Sequence, residues 1–190
     1  MARKCRVLEG GLCEITQEYK AGIHNGIDLV GAGYTLAWEV AHSDGVVVAT
    51  RNNCKGFEKG SYGNYVKLKH KDGYYTMYAH MEYNTVKVKV GDKVKRGTRL
   101  GYMGNTGYSF GGHLHWELRK SNEEKIDPVP YLDKDLPSNN EEFKKEMEAQ
   151  RERARSARGN MDGESWKEDP LSKLDSSVAS SFEGYFELEN

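Results

Sequence analysis

"NYVKLKHKDGYYTMYAHM" (residues 64–81) is two runs of alternating apolar and polar residues separated by Lys71-Asp72-Gly73. A period of two marks a half-buried strand, and an Asp-Gly pair can supply the positive φ angles of a tight hairpin turn. The stretch therefore predicts an antiparallel hairpin. The pattern continues on both sides of it. From residue 23 to residue 118, glycines divide short alternating runs, and "GVVVAT" (45–50), "TVKVKV" (85–90) and "HLHWELR" (113–119) read as further strands. Helical periodicity is scarce there. The expected fold is mainly β, an antiparallel sheet scaffold of sandwich or barrel type.

The 190 residues carry a net charge of −1, unevenly placed. Residues 1–138 hold 20 Lys/Arg and 16 Asp/Glu, whereas residues 139–190 hold 8 and 13, so the chain is expected to consist of two different objects. Asn139 or Asn140 can cap a helix over 140–158, whose first turn holds Glu141 and Glu142 at the positive end of the helix dipole. Its sizeable apolar residues are Phe143 and Met147, a stripe that suits a solvated helix better than a partner-binding one. A linker over 160–176 and a short terminal segment follow. The tail is thus expected to be helical or disordered.

Basic runs of the length a phosphate backbone attracts are missing, which argues against nucleic acid as a partner. No apolar stretch reaches the 18 residues of a membrane span, and the N-terminal residues lack the apolar core of a secretory signal. Cys5, Cys13 and Cys54 are an odd set at spacings foreign to a Cys-x-x-Cys metal site, and are read as free thiols or one loose pair, Cys5 with Cys13.

Candidate chemistry lies in three segments. In "GGHLHWEL" (111–118), His113 and His115 share one strand face with Glu117, while Leu114, Trp116 and Leu118 share the other. A lone strand histidine is most often a packed residue; two on one face change that balance. In "GIHNGIDLVG" (22–31) the glycines argue against a helix, and an extended chain places His24, Gly26 and Asp28 on one side. In "YAHM", strand parity aligns His80 with Thr76 and Tyr78. His42 and His70 precede turns and are read as structural or exposed. Two imidazoles and one carboxylate are the protein ligands of a catalytic zinc, which keeps a further position open for water. A structural zinc would want four protein ligands.

The order H-x-x-x-D, Y-A-H, H-L-H in a glycine-rich β context resembles the lysostaphin-type (LytM-like) zinc endopeptidases that cut peptide cross-links in bacterial peptidoglycan. The resemblance covers about residues 14–132, because "DGVVVA", "GNYVKLKHKDGYYTMYAHM", "VKVGDKVKRGTRLGYMGNTGYSFGGHLHWEL" and "IDPVPYL" follow in the family's order. It implies a peptidase domain over 1–138 that hydrolyses stem or cross-link peptides through a zinc-activated water. It also implies one zinc ion held by His24, Asp28 and His115, with His113 as general base and His80 orienting the water or stabilising the oxyanion. Tyr19 is the candidate for a tyrosine that donates to the oxyanion. The expected place of action is the bacterial cell wall. Delivery without a signal peptide would suit a phage or prophage lysis enzyme, a virion-associated one, or a chain whose signal has been removed. The alternative is a catalytically silent peptidoglycan-binding or regulatory module of the same fold. A carrier-type or carbohydrate-binding β module is similar to "VGDKVKRG" but leaves the histidines unexplained.

Overall fold

The computed structural model describes residues 1–137; the tail expectations, from the capped helix over 140–158 onward, lie outside the described residues. Eleven strands form among those residues. In chain order they are β1 (Arg3–Lys4), β2 (Leu12–Gln17), β3 (Ile27–Gly31), β4 (Trp38–Val40), β5 (Gly45–Arg51), β6 (Asn64–His70), β7 (Tyr75–Met81), β8 (Lys93–Val94), β9 (Arg99–Tyr102), β10 (Leu114–Arg119) and β11 (Lys125–Ile126). All the pairings are antiparallel. The large sheet runs β1-β2-β3-β10-β7-β6-β5-β8, with β11 on β10, and β4 and β9 form a second, two-stranded sheet. The expected antiparallel β scaffold is what the chain builds.

The central hairpin is β6–β7, but its turn differs from the tightest form. Gly73 alone of the turn residues takes a positive φ, of 82°, and the loop is closed by His70 N–H to the Tyr74 carbonyl (2.8 Å) and Gly73 N–H to the His70 carbonyl (3.1 Å). One left-handed residue suffices in this longer loop, and glycine takes it without a Cβ clash. The expected strand over 85–90 does not form. Its backbone is instead satisfied piecemeal, Val86 N–H by Asn52 Oδ1, Lys87 N–H by the Leu100 carbonyl and Lys89 N–H by Asp92 Oδ2, while Val86 and Val88 pack on the core. Alternation reported which side chains go inward, not a ladder.

The core joins Val66 and Leu68 of β6, Tyr78 of β7 and Leu114 and Trp116 of β10 to Leu100 of β9, Met103 and Leu8. Burying Trp116 completely removes the largest apolar surface of β10 from water and fixes which way the strand's other face must look. That other face carries His115 and Glu117, and it is buried as well. The backbone at Gly26, together with Tyr62, Arg119 and Lys125, covers that face. All three cysteines are buried free thiols.

Candidate metal centre

β3 and β10 are neighbours in a register that places Asp28 directly opposite His115. Directly opposed side chains on one face have Cβ atoms roughly 5 Å apart, close enough for short side chains to meet. His115 Nδ1 lies 2.8 Å from Asp28 Oδ1. His24 reaches the same point from outside the sheet. The extended reading of 22–31 holds only from Ile27; His24 sits in a turn closed by reciprocal backbone hydrogen bonds with Lys20, both 2.8 Å. That turn lies flat against β10 because residue 26 is glycine. A Cβ there would stand 2.5 Å from the Trp116 carbonyl oxygen and 2.9 Å from His115 Cε1. His24 Nε2 ends 3.1 Å from Asp28 Oδ1 and 3.2 Å from His115 Nδ1.

The tautomers follow from the partners. His24 Nδ1–H donates to the Glu18 carbonyl (2.9 Å), and His115 Nε2–H donates to Glu117 Oε1 (3.2 Å). In the neutral rings, the two nitrogens that face each other both carry lone pairs, with a carboxylate oxygen beside them. Three electron-rich atoms converge on one point, an arrangement that calls for a cation. Their separations are near the edge of about 3.3 Å that a tetrahedral zinc with bonds of about 2.0 Å imposes. His24, Asp28 and His115 thus have the chemistry and the spacing to hold a metal ion.

Two further imidazoles border this point. His113 is held by Nδ1–H donating to the Gly111 carbonyl (2.8 Å), which leaves Nε2 3.5 Å from Asp28 Oδ1. His80 is held by Nδ1–H donating to the Thr106 carbonyl (2.7 Å), and its ring centroid is 4.9 Å from that of His113. Strand parity does not put His80 there. Trp116 pairs with Tyr78, so Tyr78 faces the core and His80, two residues on, would follow it inward. Instead His80 takes a φ of 66°, beside a register shift between Asn64 and Val66, and this turns the ring into the site. A left-handed backbone at a non-glycine residue costs about 1–2 kcal/mol, and such outliers gather at functional sites.

Charge and burial act on these groups in opposite directions. Burial works against the protonated form of His115, but its bonds to Asp28 and then Glu117 outweigh that and raise its pKa. Burial also disfavours the Asp28 carboxylate, yet His115, His113 and His24 together hold its pKa below the usual value. The His80 pKa is pressed down to about 4, chiefly by burial, so the ring is neutral near pH 7.

The five residues open onto a cavity of about 590 Å³. Its walls come from β2, from residues 60–62 and from residues 108–111, and include Tyr62, Tyr108 and Phe110. Tyr108 and Phe110 are exposed and pack with Phe57 into a rim of three rings, with centroids 5.3 to 5.7 Å apart. Tyr19 does not join the cavity: it packs on the core and its hydroxyl donates to the Lys125 carbonyl (3.1 Å). The tyrosines in the wall are Tyr62 and Tyr108, which strand patterns cannot find because both belong to loops. Glu117 was visible on the face of His115 but carried no assigned role in the sequence pattern. His42 and His70 are structural and buried rather than exposed.

The family model for Peptidase family M23 matches residues 22–128. The peptidoglycan DD-endopeptidase ShyA of Vibrio cholerae is 39% identical over 124 residues, 65% of this chain and 26% of that protein. The murein hydrolase activator NlpD of Escherichia coli K12 is 36% identical over 112 residues, 58% of the chain and 26% of that protein. The crystallised antimicrobial peptidase lysostaphin of Staphylococcus simulans superposes with a TM-score of 0.51 at 30% identity, over 63% of this chain and 49% of that one. The alanine–tRNA ligase of Clostridioides difficile is 68% identical over 53 residues, 28% of this chain and 6% of that protein. The chain thus spans about a quarter of the length of its peptidoglycan-related relatives and far less of the ligase. The family match covers more than half of the chain and includes all five convergent residues; this protein belongs to Peptidase family M23.

Proposed function

We propose that the domain is a zinc-dependent endopeptidase that hydrolyses peptide bonds of bacterial peptidoglycan, in cross-links or stem peptides. The observation that carries this reading is the convergence of His24 Nε2, His115 Nδ1 and Asp28 Oδ1, with both imidazole lone pairs turned to the same point. Zinc bound there would lower the pKa of water to about 7 and polarise a substrate carbonyl. The remaining steps fall to the chain's own groups. His113 presents a bare Nε2 toward Asp28 and is placed to take a proton from the attacking water and return it to the leaving amine. His80 has one free nitrogen, which in the neutral ring is an acceptor, so it suits orienting that water better than donating to an oxyanion. The exposed rings of Tyr108 and Phe110 offer a wall against which a peptide can lie.

A catalytically silent reading has the NlpD similarity in its favour. Against it stands the retention of three ligand groups and both extra imidazoles in one cluster. The two readings part in a single assay: purified protein, loaded with zinc, is mixed with isolated walls, and new amino termini are counted. The enzyme reading expects their release, and its loss in the variant His115→Ala. Tight zinc binding without release of any amino terminus would support the silent module.

A further inference from the structure

We propose that Glu117 is a positioning residue for the metal centre: its buried carboxylate holds His115 in the tautomer and orientation that offer Nδ1 as a ligand. The proposal rests on the metal reading given above. Of the four imidazoles around the site, His24, His80 and His113 each give their Nδ1–H to a backbone carbonyl. His115 alone is backed by a charged group, Glu117 Oε1, at 3.2 Å from Nε2. A carboxylate behind a ligating imidazole makes the opposite nitrogen a better electron donor and stops the ring from flipping.

Glu117 could not hold this place unaided, because its side chain is 1% exposed and an unpaired buried carboxylate is costly. Three donors serve it besides His115. Arg119 Nε donates to Oε2 at 2.7 Å, the Tyr62 hydroxyl donates to Oε1 at 2.8 Å, and Lys125 Nζ stands 3.4 Å from Oε1. Steric confinement adds to the hydrogen bonds: a Cβ at Gly26 would lie 3.0 Å from Glu117 Cγ, so the backbone before β3 walls in the carboxylate as it does His115. Tyr62 gives the arrangement a second consequence. Its hydroxyl is on Glu117 while its carbonyl accepts the His80 N–H at 3.0 Å, so one cavity-wall residue ties the support of a metal ligand to the strained backbone of His80.

The test uses the full chain, stripped of metal and reloaded with zinc or cobalt, in wild type, Glu117→Gln and Tyr62→Phe. Glutamine keeps the shape and removes the charge. Zinc affinity by chelator competition is expected to fall 10–100-fold in Glu117→Gln, and the visible absorption of the cobalt form to shift. Tyr62→Phe, which removes one donor from Glu117 and keeps the ring that lies against His115 (centroids 6.0 Å apart), is expected to weaken zinc by up to about tenfold, at the lower end of that range. It carries the test should Glu117→Gln fail to fold. A role confined to stability would lower the melting temperature of the metal-free protein but leave affinity and cobalt spectrum unchanged in the folded fraction. That result overturns the proposal. Failure of the wild type itself to bind zinc would overturn the endopeptidase reading, whereas tight binding by wild type and both variants alike overturns the role of Glu117 alone.

Discussion

Six histidines divide into two sets that differ in what the second ring nitrogen meets. His42 uses both, Nδ1 with the Ser43 hydroxyl (2.8 Å) and Nε2 with the Tyr131 carbonyl (2.7 Å), and it stacks on Trp116. His70 also uses both, with the Asp44 carbonyl (2.9 Å) and the Thr76 hydroxyl (2.7 Å). Each of His24, His80 and His113 has one nitrogen held by a backbone carbonyl and the other turned toward the cavity. His115 follows the same plan with Glu117 as the holder. The difference separates structure from chemistry more sharply than burial does, since His80 and His115 are buried like His42 and His70. A ring satisfied on both nitrogens by carbonyl and hydroxyl groups is part of the core; a half-satisfied ring, with one nitrogen so held (by Glu117 for His115) and the other aimed at Asp28 or the cavity, is available to a ligand.

The largest expected effects come from breaking the half-satisfied set. His115→Ala removes one of the three proposed ligands and should abolish zinc retention and wall hydrolysis together. His113→Ala should keep the metal yet lose about 10²–10⁴-fold in turnover, the usual worth of a positioned general base. Metal analysis beside release of amino termini separates the two variants. Loss of metal from His113→Ala would move that residue into the ligand set.

The mirror experiment breaks the satisfied set. His42→Ala takes from the Tyr131 carbonyl its shorter hydrogen bond, leaving the 3.3 Å one from Lys134 N–H, and opens a gap beside Trp116, which should cost about 2–4 kcal/mol of stability. Zinc content per folded molecule should not change. Denaturant titration and metal analysis of the same sample check this, and a loss of zinc without loss of stability would erase the distinction between the sets.

Acid should expose the same residue. Burial lowers the His42 pKa to about 4, so the unfolded chain, with a histidine near 6.5, binds the proton more readily than the folded one. Stability from this group is therefore complete above pH 6.5 and is lost as pH falls toward 4. The shift amounts to about 3 kcal/mol at most. Stability measured at pH 7 and pH 4.5 should show a smaller acid loss in His42→Ala than in the wild type. His70, lowered in the same direction by burial, adds to the remaining slope.

Sequence patterns conveyed the fold because it depends on local alternation, whereas the resemblance was needed to single out His24, Asp28 and His115, which the structure brings together. The β6–β7 hairpin, the inward face of Trp116 and the pairing of His113 with His115 all follow from a period of two. What escaped depends on departures from that period or on distant partners. The resemblance named His80, but the reading that parity with Thr76 and Tyr78 sets it on a polar face is not the reason: Tyr78 faces the core, and only a left-handed backbone turns His80 into the site. Thr85–Val90 alternates yet finds no strand to pair with. Tyr19 packs on the core, and the tyrosines of the cavity wall, Tyr62 and Tyr108, come from loops that strand patterns do not read. Glu117 stood in plain view beside His115, but its role requires Arg119, Lys125 and Tyr62 around it.

The division seen in the histidines recurs, at smaller energy, in two buried carboxyl groups. Glu117 has donors on both oxygens, and its pKa is lowered to about 2, because the bond from His115 and the charge of Arg119 outweigh burial. Glu39, in β4, has no partner for either oxygen among the described residues, and burial raises its pKa well above the ordinary value. The folded state thus favours the protonated acid. Stability from Glu39 is complete below the unfolded pKa near 4.3 and declines as pH rises from there toward the folded value, by up to about 1.4 kcal/mol per pH unit. This slope is opposite in sign to that of His42, and a variant can remove it alone. Glu39→Gln keeps the shape without an ionisable proton, so it should be more stable than the wild type at pH 8 and close to it at pH 4, with zinc binding untouched. Equal stability of the two proteins at pH 8 would mean that Glu39 has found a partner as good as those of Glu117, and the contrast between the two carboxyls would not hold.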